Sequence, residues 1–226
     1  MPGGWFDLHL HTAGGSEDSR LDPWAAAERL KALGFAGFAV TDHQTAGSAA
    51  AVRALAEATG LVVLRGAEVT TEVGHVLVLG WDDEGLWRYH TLAELAEAAR
   101  RKGAVVIVAH PLRAWHSRRA QGAGVGPPDL EALAQSSFWQ WADGVEADNG
   151  RATEAENRGS RWLAARLGRL ATGGSDAHAL AEVGRSGTWI EAERLDAESV
   201  LDALRQGRAW PGRPAESAGP MAWAPT

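Results

Sequence analysis

Imidazole and carboxylate side chains gather near the ends of the strands that this sequence predicts. Six of the eight histidines stand where a short apolar run ends or begins, and three carboxylates stand close to such positions. The residues in this set are His9, His11, Asp18, His43, Glu68, His75, His110, Asp176 and His178. Imidazole nitrogen and carboxylate oxygen, without a thiolate, form a donor set that suits Zn, Mn or Fe. The residue types therefore indicate metal coordination.

Two pairs in this set share a spacing of two residues, His9 with His11 and Asp176 with His178. In extended backbone this spacing places both side chains on one face, roughly 6–7 Å apart, so each pair can hold a cation from one side. The set is larger than one ion can use, and two or three ions bridged by Glu68 are the economical interpretation. Their positive charge would attract an anionic substrate, although the chain carries a net charge of −7.

Alternating strands and helices must position these side chains. The apolar pattern predicts strands at residues 5–11, 35–41, 61–68, 75–79, 105–109, 144–147 and 170–174, with a weaker one at 188–190. It predicts helices at residues 22–34, 46–59, 91–102, 128–134, 153–167 and 196–205. This alternation favours an α/β fold, a closed TIM-like barrel whose strand ends meet on one face. An open doubly wound sheet is the alternative, although the chain lacks the glycine pattern of a dinucleotide fold.

Length and composition limit the class of protein. The 226 residues fit one domain, which we place at residues 1–210, followed by a proline-rich tail at 211–226. The absence of cysteine excludes disulfides, zinc–thiolate sites and a cysteine nucleophile. The acidic balance, 29 acidic against 22 basic residues, argues against binding of long nucleic acid. No apolar run approaches the ~18 residues of a membrane span, and the first residues lack the features of a signal peptide, so we expect a cytoplasmic protein.

Five short motifs follow one another along the chain: DLHLHT at residues 7–12, TDH at 41–43, GAE at 66–68, AHP at 109–111 and SDAH at 175–178. Together, and in this order, they resemble the motifs of the PHP (polymerase and histidinol phosphatase) family over residues 6–190. The resemblance implies a distorted TIM-like (βα)7 barrel with a trinuclear metal centre, often of Mn, Fe or Zn. It also implies hydrolysis of phosphate esters.

The resemblance further implies which residues bind which ion. The first ion would be bound by His9, His11, Glu68 and Asp176. The second would be bound by Glu68, His75 and His110. The third would be bound by Asp18, His43 and His178.

Two of these positions depart from the usual motifs. The family's loop after the first motif often reads Ser-Asp-Gly, whereas residues 16–19 here are Ser-Glu-Asp-Ser. The ligand of the third ion is therefore Glu17 or Asp18, of which we favour Asp18. The ligand of the second ion at the position of His75 varies in the family.

The activity expected from this resemblance is hydrolysis of a phosphate monoester of a small metabolite, such as a nucleotide, a sugar phosphate or histidinol phosphate. A hydroxide activated by two to three divalent transition-metal ions (Mn, Zn or Fe) would attack phosphorus, with Glu68, Asp176 and His178 at the catalytic centre. Arg113, three residues after His110, and Arg185, seven after His178, are candidates to contact the substrate because guanidinium groups match phosphate geometry.

Other functions stay open at this point. A phosphodiesterase or nuclease acting on short oligonucleotides or cyclic phosphates would use the same ligands. An amidohydrolase barrel also begins with His-x-His, but a carboxylated bridging lysine has no candidate because Lys31 and Lys102, the only lysines, stand in predicted helices. A metal-free binding domain would have lost ligands that are all present here. The metal, the oligomeric state and whether the glycine-rich loop at 113–129 forms a lid are not specified by the sequence.

Overall fold

A mixed β-sheet forms the centre of the molecule. The computed structural model describes residues 2–82, 85–113 and 129–214. The strands in these ranges are β1 Gly3–Asp7, β2 Phe35–Val40, β3 Val62–Thr71, β4 Gly74–Leu79, β5 Val105–Val108, β6 Gly144–Asn149, β7 Leu170–Gly174, β8 Gly187–Glu191 and β9 Ala209–Gly212. Their order in the sheet is β7-β6-β5-β4-β3-β2-β1-β8-β9.

The helices begin where the sequence places N-terminal capping residues. They are α1 Pro23–Ala32, α2 Ala49–Thr59, α3 Leu92–Lys102, α4 Leu130–Ala134, α5 Glu154–Leu167 and α6 Ala197–Arg205. Short 3-10 turns occur at Leu86–Arg88, Ser137–Trp141 and Leu180–Glu182. Asp22 caps α1 by accepting backbone N–H groups, and Thr153 caps α5 in a reciprocal capping box with Glu156, which satisfies otherwise unpaired donors. The predicted helices are thus confirmed within a few residues at each end.

Two strands run against the others, which the pattern of alternating strands and helices did not predict. β4 pairs antiparallel with β3 and β5, and β8 pairs antiparallel with β1 and β9, while the remaining strands all run in one direction. The connection from β3 to β4 is a tight turn closed by Gly74, whose φ is 112°. So short a connection can join only antiparallel strands, because a parallel pair needs a crossover of a dozen or more residues.

The two ends of the sheet approach each other and make a nearly closed barrel. Thr188 of β8 donates its hydroxyl to the Gly173 carbonyl of β7 at 2.8 Å and accepts the Gly173 N–H at 2.8 Å. The expected α/β barrel is confirmed, and the open sheet is not formed. β9 was not predicted: it takes up residues 211 and 212, which we had placed in the tail, and residues 215–226 lie outside the described part of the chain.

One end of the barrel is closed by apolar packing. α6 contacts β3, β5 and β8, and its Val200 and Leu204 belong to an apolar cluster with Phe6, Leu64 and Ile107 of the strands. Leu201 lies against Gly80, at the end of β4, so α6 covers the end at which the parallel strands begin. The polar residues of the motifs lie at the opposite end. Within the described ranges, the helices are too short or too polar to cross a membrane.

Candidate metal centre

The segments that follow β1 and β7 lie side by side and carry two of the motifs. The Asp176 N–H donates to the His9 carbonyl at 2.7 Å, and the His11 N–H donates to the Ala177 carbonyl at 3.0 Å. β1 ends at Asp7 rather than at residue 11 as predicted, because the chain beyond it pairs here with residues 176 and 177. A Cβ at Gly174 would lie 2.4 Å from His9 Cβ, so glycine at this position permits the close approach.

A second pair of segments brings His43 next to Glu68. The Glu68 N–H donates to the Asp42 carbonyl at 3.0 Å, and the Gln44 N–H donates to the Glu68 carbonyl at 2.9 Å. His75 reaches the same end of the barrel from the beginning of β4 rather than from its end. The antiparallel direction of β4 is the reason, since it places the first residues of that strand beside the last residues of its neighbours.

Strained backbone occurs at this end of the barrel. Among the described residues, three that are not glycine have a positive φ: Gln44 at 59°, His110 at 25° and Asp176 at 54°. Each is a member of the predicted ligand set or directly follows one. Such conformations cost on the order of 1–3 kcal/mol each and tend to occur at functional sites. The backbone geometry therefore supports a function for these turns.

Glu68 lies at the centre of the imidazole groups. Its side chain is 2% exposed, and its Oε1 lies 2.9 Å from His75 Nδ1, 3.0 Å from His110 Nε2 and 3.4 Å from His9 Nε2. Its Oε2 lies 3.1 Å from His43 Nδ1 and 3.4 Å from His11 Nε2. One buried carboxylate thus contacts imidazoles that come from four different parts of the chain.

Asp176 borders the same imidazoles from the side of β7. Its Oδ1 lies 3.4 Å from His11 Nε2, 3.5 Å from His9 Nε2 and 3.7 Å from His178 Nδ1. Arg113 occupies its other oxygen, since the guanidinium donates to Oδ2 at 2.5 Å. Asp176 therefore has one oxygen within the cluster and one outside it.

Asp18 completes the outer edge of the cluster. Its Oδ2 lies 3.2 Å from His178 Nε2 and 3.5 Å from His43 Nε2, and its side chain is 58% exposed. The neighbouring Glu17 is also exposed. The sequence left Glu17 or Asp18 as the candidate ligand of the third ion. Asp18 is the one that contacts the imidazoles of His43 and His178.

The structure brings all nine predicted ligands into one continuous cluster. Four subsets have donor atoms within 4.8 Å of one another: His9, His11 and Glu68; Glu68, His75 and His110; His11, His43 and His178; and His9, His110 and Asp176. The Nε2 atoms of His9 and His11 approach each other to 3.1 Å. Buried carboxylates surrounded by converging imidazole nitrogens fit divalent transition metals, which prefer these donors.

The charges of the two buried carboxylates are held by their neighbours. Burial disfavours the charged form of Glu68, but His9 and the hydrogen bonds from His110 and His43 hold its pKa well below the ordinary value. Burial opposes the charge of Asp176 likewise, and His9 and His11 hold its pKa below its usual range. Both side chains are therefore ionised at neutral pH, which is the state that binds a cation.

Two further groups contact the rear of the ligand imidazoles and were not among the predicted site residues. Glu146 Oε1 lies 2.9 Å from His9 Nδ1, and Ser16 Oγ lies 3.1 Å from His11 Nδ1. Ser16 in turn donates to Asp42 at 2.8 Å. The available signal for Glu146 was a charged residue between Val145 and Ala147 in the predicted strand at 144–147, which is otherwise apolar.

The predicted substrate arginines occupy different surroundings. Arg113 contacts Asp176 and also donates to Asn149 Oδ1 at 2.6 Å. Arg185 is exposed and lies beside Gly150. Arg151, which the sequence analysis did not single out, also contacts the cluster: its Nη1 lies 2.9 Å from His178 Nδ1. Most of the loop predicted at 113–129 lies outside the described residues. The structure therefore does not test whether this loop forms a lid.

Sequence comparison with known proteins gives one partial match. A family model described as PHP-associated matches residues 154–209. Among curated proteins, none matches the chain in sequence.

Solved structures share its fold. One is a two-domain protein from Bacteroides vulgatus containing a predicted PHP-like metal-dependent phosphoesterase, with 19% identity and a TM-score of 0.73 over 94% of this chain and 65% of that one. Another is a proposed metal-dependent phosphoesterase from Bifidobacterium adolescentis, with 19% identity and a TM-score of 0.62 over 88% of this chain and 95% of that one. A third is a lesion-specific endonuclease from Pyrococcus furiosus, with 16% identity and a TM-score of 0.58 over 91% of this chain and 56% of that one.

The present chain spans about two thirds of the Bacteroides protein and about half of the endonuclease. At these identities the likeness is one of fold. The partial match to the PHP-associated model and the shared fold agree with the resemblance to the PHP family that the five motifs indicate.

Proposed function

We propose that this chain is a metal-dependent hydrolase that cleaves phosphate esters, with monoesters of small metabolites as its preferred substrates. The observation that carries the proposal is the Glu68 carboxylate, buried and in contact with five imidazoles. The names of two structural neighbours as metal-dependent phosphoesterases support the same class of reaction.

The cofactors in this proposal are two to three divalent transition-metal ions, Mn, Zn or Fe. The first would be held by His9, His11, Glu68 and Asp176. The second would be held by Glu68, His75 and His110, and the third by Asp18, His43 and His178. When bound, such ions lower the pKa of a coordinated water toward ~7 and offset the charge on phosphoryl oxygens.

The chain's own residues at the catalytic centre are Glu68, Asp176 and His178. Glu68 and Asp176 remain ionised because their pKa values are held low, so they can retain cations while the anionic substrate enters. His178 is only partly buried and stands between Asp18 and Arg151. This position at the mouth of the cluster places His178 where the phosphate group of a substrate would enter.

Arginine side chains at the mouth would bind the phosphate. Arg113 is fixed between Asp176 and Asn149, with its side chain 29% exposed. A guanidinium group donates two parallel hydrogen bonds, which matches the oxygens of a phosphoryl group. Arg185, exposed beside Gly150, is the second proposed contact, and Arg151 adds positive charge beside His178.

A second candidate function is a phosphodiesterase or nuclease for short oligonucleotides or cyclic phosphates. The observation that favours it is the shared fold with a lesion-specific endonuclease. The net charge of −7 argues against long nucleic acid as the substrate, because such domains carry basic surfaces.

The test is metal content and phosphate release measured on the same protein. The chain is stripped of metal, reconstituted with Mn²⁺, Zn²⁺ or Fe²⁺, and assayed on panels of phosphate monoesters and diesters. We expect two to three bound ions and release from small monoesters. Hydrolysis of diesters alone would favour the second candidate, and failure to bind any of these metals would contradict both.

A matched pair of variants links the activity to the cluster. His9→Ala removes a buried imidazole that contacts Glu68 and Asp176, and it should abolish nearly all turnover together with metal binding. His90→Ala removes an exposed imidazole outside the cluster and should leave both unchanged. Full activity in His9→Ala would contradict the assignment.

A further inference from the structure

Glu146 is a buried carboxylate on β6 that none of the five motifs includes. Its side chain is 1% exposed, and its two oxygens face His9, the backbone of His110 and Asn149. We propose that Glu146 is a positioning residue that fixes one ligand of the first ion and one ligand of the second. The proposal rests on the metal-dependent function proposed above, and it concerns a residue that is not itself one of the proposed ligands.

The contact between Glu146 and His9 determines which ring nitrogen of His9 carries hydrogen and which one offers a lone pair to the cluster. Glu146 Oε1 lies 2.9 Å from His9 Nδ1. An ionised carboxylate can only accept, so Nδ1 carries the hydrogen. The other nitrogen, Nε2, is then the one available to a cation, and it faces Glu68 at 3.4 Å and Asp176 at 3.5 Å. A carboxylate behind a ligand histidine fixes both the tautomer and the ring orientation.

The second oxygen of Glu146 holds the backbone of another ligand. Oε2 accepts the His110 N–H at 2.8 Å. His110 has a φ of 25°, a strained conformation that surrounding contacts must maintain. Its ring Nε2 lies 3.0 Å from Glu68. The position of this imidazole therefore depends on a turn that Glu146 stabilises.

Asn149 extends this network to Asp176. Its Nδ2 donates to Glu146 Oε2 at 3.0 Å and to Asp176 Oδ2 at 3.3 Å. The amide cannot rotate to offer its oxygen instead, because Oδ1 already accepts the N–H groups of Arg151 at 2.9 Å and Ala152 at 3.1 Å. Glu146 is thus surrounded by donors alone.

Glu146→Gln tests this arrangement with little change in volume. A glutamine has one acceptor oxygen, so its NH₂ group must face either His9 Nδ1 or the N–H groups of His110 and Asn149. The first orientation would favour the wrong tautomer of His9, and the second would place donors against donors. Loss of such a supporting contact weakens metal binding about 10–100-fold.

Asp148→Asn is the matched control. Asp148 stands two residues further along the same strand and is also buried, at 6% exposed. Its carboxylate contacts Arg161 at 3.2 Å on α5 rather than a ligand of the cluster. The same change from acid to amide at this position should leave metal affinity within about twofold of the wild-type value, as is usual for independent sites.

The experiment is a calorimetric titration of the metal-free full chain with Mn²⁺, for the wild type and both variants. We expect a 10–100-fold weaker affinity in Glu146→Gln alone. Wild-type affinity in Glu146→Gln would overturn the proposal, and so would an equal loss in both variants. A wild-type chain that binds Mn²⁺ but hydrolyses no phosphate ester would contradict the proposed function while leaving the role of Glu146 intact.

A measurement on the wild type decides the matter even if Glu146→Gln does not fold. The ¹⁵N resonances of the ligand histidines in the Zn²⁺-loaded protein distinguish the protonated nitrogen from the metal-bound one. We expect His9 to keep hydrogen on Nδ1 and to bind through Nε2. Binding through Nδ1 would overturn the proposal, because Glu146 would then face the metal-bound nitrogen.

Discussion

The two sides of the ligand cluster differ in their access to water. The inner ligands are buried: His9, His11, Glu68, His110 and Asp176. The outer ligands are Asp18, His43, His75 and His178, whose side chains are 58%, 32%, 37% and 11% exposed. Glu68 belongs to the inner set but touches both sets, through His9 and His11 on one side and His43 and His75 on the other.

The inner set is also held more firmly by groups behind it. Glu146 supports His9 and Ser16 supports His11, whereas the side chain of Asp18 is mostly exposed and that of His75, at the beginning of β4, is partly exposed. Fixed donors in a site shielded from water bind ions more strongly than exposed ones. We therefore expect the inner ligands to retain their ions and the outer ligands to exchange theirs where the substrate enters.

Glu68→Gln should weaken metal binding by the inner and the outer set alike, because Glu68 contacts residues of both. Loss of the shared negative charge leaves five imidazoles around a neutral amide. We expect fewer than one bound ion per chain and a decrease in turnover of roughly 1000-fold or more, because the reaction depends on the bound ions. Elemental mass spectrometry and a phosphate-release assay measure the two effects.

Glu72→Gln is the control for this change. The Glu72 carboxylate accepts the Leu92 N–H at 2.8 Å and lies outside the cluster, so its variant should keep both metal and activity. Retention of two ions with undiminished turnover in Glu68→Gln would show that the central carboxylate is not the bridge between the sets.

Asp18→Asn should separate the two sets. Asp18 contacts His43 and His178, so its loss acts on the outer ligands only. We expect one fewer ion per chain and a decrease in turnover of about 100–1000-fold, the range typical of losing one group that stabilises charge at a reaction centre. Glu17→Gln, which removes one negative charge at the adjacent exposed residue, should have no effect. Loss of every ion in Asp18→Asn would contradict the independence of the inner set.

The convergence of the candidate ligands was predictable because their positions follow local rules. His9, His11, His43, His110 and Asp176 stand just after apolar strands, and the carboxyl ends of barrel strands meet on one face. A single sequence therefore indicates that these side chains converge, even though it gives no distances. His75 stands at the beginning of β4 and reaches the same face because β4 runs antiparallel to its neighbours. The alternation of strands and helices had not indicated this direction.

The supporting residues were not predictable in this way. Glu146 meets His9 from 137 residues away in the chain, and no spacing rule connects them. Arg151 and Ser16 likewise stand in loops whose course depends on the packing around them. β9 was missed because Pro211 within it suggested a tail; proline is tolerated there since β9 stands at the end of the sheet order, where a missing N–H donor costs little.

Protonation of the metal-free protein gives the finest test of the contrast between the buried His11 and the partly exposed His43. The hydrogen bond with Glu68 raises the pKa of His43 above the ordinary 6.5, whereas burial lowers the pKa of His11 below it. The stability that protonated His43 contributes is fully present below 6.5 and is lost as the pH rises through the raised value. His11 acts in the opposite sense: its neutral form contributes stability above 6.5, which is lost as the pH falls through the lowered value.

The order of protonation is therefore the quantity to measure. Histidine ring resonances followed by NMR during acidification should show His43 taking up its proton at higher pH than His11. His43→Gln should remove the first of these transitions and flatten the pH dependence of the melting temperature above pH 6.5. His90→Gln, at an exposed position outside the cluster, should leave that dependence unchanged. If His11 protonated first, burial would not be what separates His11 from His43, and the hydrogen bond between His43 and Glu68 would have little effect in solution.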